Sequence, residues 1–245
     1  MGIIAGDGYL YNSNKIHQLE IYLNLSEDVF YLNHVKKLIK NLFNIDPKIR
    51  TRKDKGTFDI TINSKAIAFF IEGLEFPNGK KNRKLKIPIW IMKNKPFIIA
   101  YLRGIIDTDG SLFFAKRGTY KKNSYPVIEI KILDKKFIKE IYLVFKKLGF
   151  VCNSSKFKIQ LNGQKNLQKW IAIINTDNFA ITSRYILWRM LKYCPPKTNL
   201  QERITMIYAR VAESGNAHQK WVESPAEREI VGPNPTPSSF FTKSK

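Results

Sequence analysis

Acidic residues are scarce in this 245-residue chain: 20 Asp and Glu stand against 42 Lys and Arg, a formal net charge of +22. A field that positive exceeds what solubility requires and points to polyanionic partners. Cysteine is scarcer still. Cys152 and Cys194 lie far apart with no histidine cluster near either, which excludes a disulfide framework or a zinc site and leaves two buried, reduced thiols. No run of about 18 apolar residues is available for a spanning helix. No secretory signal follows Met1, which leads directly into Gly-Ile-Ile-Ala-Gly-Asp. Nucleic acid, and no membrane, is therefore the expected partner, in the cytoplasm of an archaeon or bacterium or in an organellar matrix. What is plentiful is core material: 44% of residues are hydrophobic and 13% aromatic, enough to fill a folded interior.

The chain carries an internal duplication. Gly2-Ile-Ile-Ala-Gly-Asp-Gly8 recurs as Gly104-Ile-Ile-Asp-Thr-Asp-Gly110, so that Asp7 and Asp109 lie 102 positions apart. After the first copy, residues 9–11 and 18–25 alternate as half-buried strands do. Ser26-Glu-Asp then caps an amphipathic helix through Phe30 and Leu42, followed by a hairpin over 48–53 and 57–63 and a short helix over 65–74. The second copy leads into the same order: strands at 111–116 and 127–132, a helix over 134–148, strands near 151 and at 157–161, and a helix over 165–174. Aligning the middle helices puts Phe30 opposite Phe137 and Asn24 opposite Lys131, with Asn63 opposite Asn162. The basic stretch 77–96 reads as a linker between an N-terminal half, 1–76, and a C-terminal half, 97–208. Residues 209–245 end in Gly-Pro-Asn-Pro-Thr-Pro-Ser-Ser and read as a disordered tail.

Each repeated motif is an apolar helical stretch ending in Asp-Gly, where glycine is expected to supply a left-handed helix stop. Gly2 and Gly6, like Gly104 and Thr108, are small and four apart, so each helix offers a face without bulk. Two such faces packed in parallel would bring Asp7 and Asp109 side by side. There the carbonyl ends at Gly6 and Thr108 add partial negative charge to the two carboxylates. That donor set suits a hard divalent cation, Mg²⁺ or Mn²⁺, which activates water and stabilises charge in phosphodiester hydrolysis.

Leu102-Arg-Gly-Ile-Ile-Asp-Thr-Asp-Gly110 resembles the LAGLIDADG signature of homing endonucleases, and Met1-Gly-Ile-Ile-Ala-Gly-Asp-Gly8 resembles a shortened partner, with Ala5 in place of Asp107. The resemblance covers roughly residues 1–208. It implies an α+β fold of two pseudo-symmetric αββαββα halves, whose antiparallel sheets form a saddle over double-stranded DNA. It also implies Mg²⁺ on the motif aspartates and a double-strand cut at a long target site, made by an intron-encoded monomer. Basic and polar helpers of the catalytic pair, carried over by position, are Asn24 and Lys131, then Lys84 and Lys192. The competing reading makes all four solvated surface residues.

Candidate DNA contacts are Lys48, Arg50, Arg52 and Lys53 in the first half and Lys116, Arg117, Lys121, Lys156 and Lys158 in the second, most of them expected on phosphates. Phe69, Phe70, Trp90, Trp170 and Trp188 fall in helical or apolar patterns and are expected in the core. A catalytically silent binder, such as an intron RNA maturase or a DNA-binding regulator, would use the same positive surface. Retention of both aspartates favours the nuclease, because carboxylates facing phosphates repel them.

Overall fold

A computed structural model describes residues 1–81, 84–118 and 122–213. The N-terminal half runs α1 (Gly2–Asp7), β1 (Gly8–Asn12), β2 (His17–Asn24), α2 (Val29–Phe43), β3 (Lys48–Arg52), β4 (Thr57–Asn63) and α3 (Lys65–Gly73). A short helix α4 (Ile89–Met92) precedes the C-terminal half. That half comprises α5 (Lys95–Asp109), β5 (Gly110–Ala115), β6 (Tyr125–Lys131), α6 (Lys135–Lys147), β7 (Cys152–Ser155), β8 (Lys158–Asn162) and α7 (Gln164–Ile173). Two further helices, α8 (Phe179–Leu191) and α9 (Leu200–Glu213), close the described chain. Helix α9 continues through the start of the segment read as tail, and residues 214–245 lie outside the described residues.

Each half builds one four-stranded antiparallel sheet, in the orders β1-β2-β4-β3 and β5-β6-β8-β7. Alternation sets which face is covered. Leu19, Ile21, Leu23, Ile60 and Ile62 in one sheet, and Ile128, Ile130, Ile159 and Leu161 in the other, enter a common core. Helix α2 presents Tyr31, Val35 and Ile39 to that core, and α6 presents Phe137, Ile138, Ile141, Val144 and Phe145, both at helical spacing. The residues between them on the strands face away from the helices.

Helix boundaries follow local chemistry. Asp134 caps α6 by accepting from the Lys136 and Phe137 amides, and Ser64 caps α3 through the Ile67 amide. At α2, Asp28 rather than Ser26 stands at the N-cap, and its side chain makes no capping bond. It is engaged elsewhere, as described below.

Strand register corrects the expected alignment of the halves. Gly8 pairs with Ile21 and Gly110 with Ile130, so Ile21 and Ile130 are equivalent. Tyr22, not Asn24, therefore occupies the place of Lys131. The connection from β2 to α2 is longer than that from β6 to α6, and an alignment anchored on the helices slips when carried back into the strands. Asn63 does match Asn162, because Ile60 and Ile159 pair with these same equivalent residues.

Helices α8 and α9 fasten the halves together. Phe179 packs edge-on against Phe30 of α2, with ring centroids 5.3 Å apart. Arg203 of α9, fully buried, donates to the Ser183 hydroxyl at 2.8 Å and pairs with Glu27 of the N-terminal half. Glu27 also accepts from the Leu200 amide at 3.0 Å. Phe69, Phe70 and Trp90, expected in the core, are exposed. Helices α3 and α4 turn those flanks outward, while Trp170 is buried and Trp188 stacks half-buried on Phe114.

Candidate functional site

Helices α1 and α5 run in parallel at backbone contact. A Cβ on Gly2 would lie 2.1 Å from the Tyr101 carbonyl oxygen, one on Gly104 would lie 2.6 Å from the Ile3 nitrogen, and one on Gly6 would meet Thr108 Oγ1 at 2.0 Å. Only glycine permits this approach, and the rising order of partners on both helices fixes the parallel sense. Thr108 tucks its hydroxyl into its own helix, donating to the Gly104 carbonyl at 2.9 Å.

Gly8 and Gly110 have a different role from the one expected. Both are extended, at φ −87° and −96°, so neither is a left-handed cap. Each strand doubles back over the helix it leaves: a Cβ on Gly8 would sit 2.5 Å from the Ile4 carbonyl oxygen, and one on Gly110 would sit 2.4 Å from that of Ile106. The glycine of Asp-Gly is a clearance residue that lets chain direction change immediately after the aspartate.

Asp7 and Asp109 therefore emerge together where the two helices end. Burial first, and then the charge of Asp109, raises Asp7 to about 7, with Asp28 adding to the push and Lys81 opposing it. Burial raises Asp109 to about 6, again against Lys81. Lys81 itself is lowered by burial, against the pull of both aspartates. Its ammonium donates to the Ala5 carbonyl at 3.1 Å and to that of Gly6, where the unsatisfied carbonyls of α1 concentrate negative charge.

Lys81 went unnoticed in the sequence because it is one lysine of a lysine-rich linker. Asp28 was missed because it looked like a helix cap. Its carboxylate accepts from the Asn24 amide and from Asn178 Nδ2, both at 2.8 Å. The Asn178 amide group also donates to the Asp107 carbonyl at 2.8 Å, so one side chain ties α2, α5 and the segment before α8. Buried Asp107, raised to about 7 chiefly by burial, accepts from the Thr176 hydroxyl and the Asp177 amide. It anchors the helix rather than facing the pair.

The contacts of the other expected helpers are local to their own segments. Asn24 spends its side-chain oxygen on Ser26 and the Glu27 amide in the turn after β2. Lys131 pairs with Glu129 at 2.8 Å. Lys84 lies exposed in the linker, and Lys192 is exposed at the left-handed end of α8. Among the described residues, the charged groups that shift the pair are the two aspartates themselves, Lys81 and Asp28.

The candidate DNA contacts sit on or beside the sheet faces turned away from the helices. Lys48, Arg50 and Arg52 line β3 opposite Thr61, Asp59 and Thr57, and Lys53 is exposed in the next turn. Lys116 and Arg117 follow β5, with Arg117 over the Tyr125 ring at 4.9 Å. Lys156 lies over Phe157 at 5.1 Å, and Lys158 is 3.4 Å from Glu129. Lys121 lies outside the described residues.

Among the described residues no cluster of three or more Asp, Glu, His or Cys side chains forms a metal cage. The donors are two carboxylates and the carbonyl ends of two helices, all oxygen. Two half-buried acids whose negative forms are disfavoured are relieved by a hard cation, so this set fits Mg²⁺ or Mn²⁺ with solvent completing the shell. No described helix is long and apolar enough to cross a membrane.

No protein-family profile matches the sequence, and no curated protein matches it. Solved structures do. The LAGLIDADG meganuclease I-AabMI bound to uncleaved DNA aligns at TM-score 0.50 and 11% identity, over 85% of this chain and 95% of that one. The homing endonuclease I-WcaI bound to its DNA recognition sequence aligns at TM-score 0.48 and 17% identity, over 71% and 77%. A mesophilic variant of the homing endonuclease I-DmoI gives TM-score 0.48 and 14% identity, over 71% and 85%. The chain has the fold of the LAGLIDADG homing endonucleases, with both halves of that fold in a single polypeptide.

Proposed function

We propose that this protein is a site-specific endonuclease that binds double-stranded DNA across its two sheets and cuts both strands at the Asp7–Asp109 pair. The observation that carries the reading is the parallel contact of α1 and α5, which brings two half-buried carboxylates together. Holding them there costs stability, and a silent binder of DNA or intron RNA gains nothing from that cost. One chain supplies both halves, so the active form is a monomer.

Asp7 and Asp109, once deprotonated, would hold a divalent cation, which when bound would supply a water of lowered pKa and neutralise charge on the phosphate. Lys81 places a positive charge beside both acids, where negative charge grows on the attacked phosphate. Burial lowers its pKa, which makes the ammonium a readier proton donor to a departing oxygen. Asp28, fixed by Asn178, adds negative charge that favours a cation near Asp7.

The test is to incubate the protein with its intronless host locus in Mg²⁺ or in EDTA. Cleavage at one site in Mg²⁺ alone is expected. Asp109→Asn should abolish cutting while leaving binding that weakens with salt. Cutting that persists in this variant refutes the assignment.

A further inference from the structure

The two sheets carry the same backbone square on their helix-free faces, but its side chains differ in kind. In the C-terminal sheet, Glu129 pairs with Gln160 and Lys131 with Lys158. The equivalent positions in the N-terminal sheet are Glu20 with Thr61 and Tyr22 with Asp59. A glutamate is shared, yet its neighbours are two lysines in one half and a tyrosine and an aspartate in the other.

In the C-terminal square two ammonium groups stand directly across the ladder in a chain of charge +22, an arrangement that repels. Glu129 resolves it. Its Oε1 lies 2.8 Å from Lys131 Nζ, and its Oε2 accepts from Gln160 Nε2 at 2.6 Å and lies 3.4 Å from Lys158 Nζ. The residue is 6% exposed. Burial alone would raise its carboxyl, but hydrogen bonds from Lys131 and Gln160 and the lysine charges hold it below the usual range, so the charge that organises the square persists at neutral pH. Both carboxylate oxygens are occupied. What the square presents outward is therefore a row of donors: Lys131 and Lys158 on one rung, with Gln160 beside them.

The N-terminal square presents the reverse. Tyr22 donates its hydroxyl proton to Glu20, leaving oxygen lone pairs outward. Asp59, 7% exposed, is engaged within the sheet: it accepts from Thr57 Oγ1 at 2.8 Å and lies 3.7 Å from Arg52. No lysine stands in this square, and the acceptors it leaves accessible are those of Glu20 and Tyr22.

A row of donors matches a base edge with two acceptors, and in the major groove guanine offers O6 and N7. An acceptor-rich square matches an amino group, as cytosine offers at N4. We infer that Glu129 is a positioning residue that fixes Lys131 and Lys158 as readers of a guanine in the half-site beneath the C-terminal sheet. Glu20 and Tyr22 select an amino-bearing base at the equivalent place in the other half-site. The inference rests on the proposal that the sheets bind duplex DNA, and it makes the target non-palindromic at these two positions.

The experiment recovers duplexes bound by the full chain from a pool of randomised double-stranded DNA in EDTA, where no cutting occurs, and sequences them. Wild type should enrich a motif with guanine at one position of one half. Glu129→Gln should cut that guanine's enrichment about tenfold while sparing the other half, since one good contact is worth about 1–3 kcal/mol of discrimination. Glu20→Gln should do the converse. Lys158→Met, on the surface, carries the test if Glu129→Gln lowers the melting temperature, and it should lose the same guanine. An unchanged motif in both Glu129→Gln and Lys158→Met overturns the inference. So does a uniform loss of affinity for all sequences, the mark of phosphate clamping. A wild-type protein that enriches no motif overturns the site-specific reading as well, which separates the two failures.

Discussion

The two motif helices reach the same endpoint with different support. Helix α5 has 15 residues and is gripped along its length: Arg103 donates to the Ile174 carbonyl at 2.7 Å, and Asp107 and its carbonyl are held by Thr176, Asp177 and Asn178. Helix α1 has six residues and no counterpart of Asp107. It is held by glycine contact with α5 and by the Lys81 ammonium on its last carbonyls. Pseudo-symmetry is therefore strict where the two carboxylates must meet and relaxed one turn earlier, where each half is free to find its own anchor.

The sharpest way to break this equality is at its endpoint. Asp7→Asn and Asp109→Asn should each lower double-strand cleavage by a factor on the order of a thousand or more, since each removes several kcal/mol of transition-state stabilisation. Single-turnover assays on supercoiled plasmid would check it, and a large residual rate in either variant would show that the halves are not equivalent in chemistry.

A step down in size, Gly104→Ala drives a Cβ into the Ile3 backbone and should cost about 3 kcal/mol, at the upper end of overpacking effects. Gly73→Ala, which meets nothing within 4 Å, should be neutral or stabilise by up to about 1 kcal/mol. Urea denaturation of both variants distinguishes close helix contact from mere helix propensity.

Asn178→Ala removes the bridge between Asp28 and the Asp107 carbonyl and should cost about 1–3 kcal/mol. It should leave the Lys81 end of α1 intact, so melting temperature should fall more than metal dependence changes.

The smallest effect is on pH. In EDTA, Asp7 at about 7 and Asp109 at about 6 are both raised above their unfolded values near 3.8. The native state then binds more protons than the unfolded chain between those limits. Stability is highest at or below pH 4 as far as these groups go and falls as pH rises toward 7. Thermal melts from pH 5 to 7.5 should show the decline. Asp7→Asn should flatten it in part, because Asp107 is raised as well.

Much of this organisation was legible in the sequence because repetition is visible without geometry. The recurring Asp-Gly pair located both acids, and pattern placed seven of the eight strands to within a residue or two, while β7, Cys152–Ser155, was expected only near residue 151. The role of Gly8 and Gly110 was not legible, since clearance for a strand folding back on its own helix has the same composition as a left-handed cap. The match of Tyr22 to Lys131 was hidden by the longer connection before α2, which shifts register without changing pattern. Lys81 could not be told from its neighbours because its distinction lies in where the linker sets it down. Helices α8 and α9 do not belong to the repeat, so the repeat could not announce them.

The central claim, that two glycine-faced helices bring two acids to one electrostatic centre, is tested most directly by titrating the aspartate carboxyl carbons by NMR in metal-free protein. In wild type, Asp7 should titrate near 7, and Asp109→Asn should move its midpoint down by removing a neighbouring negative charge. An Asp7 midpoint that stays where it was in Asp109→Asn would contradict the account, because the two acids would then not share a site.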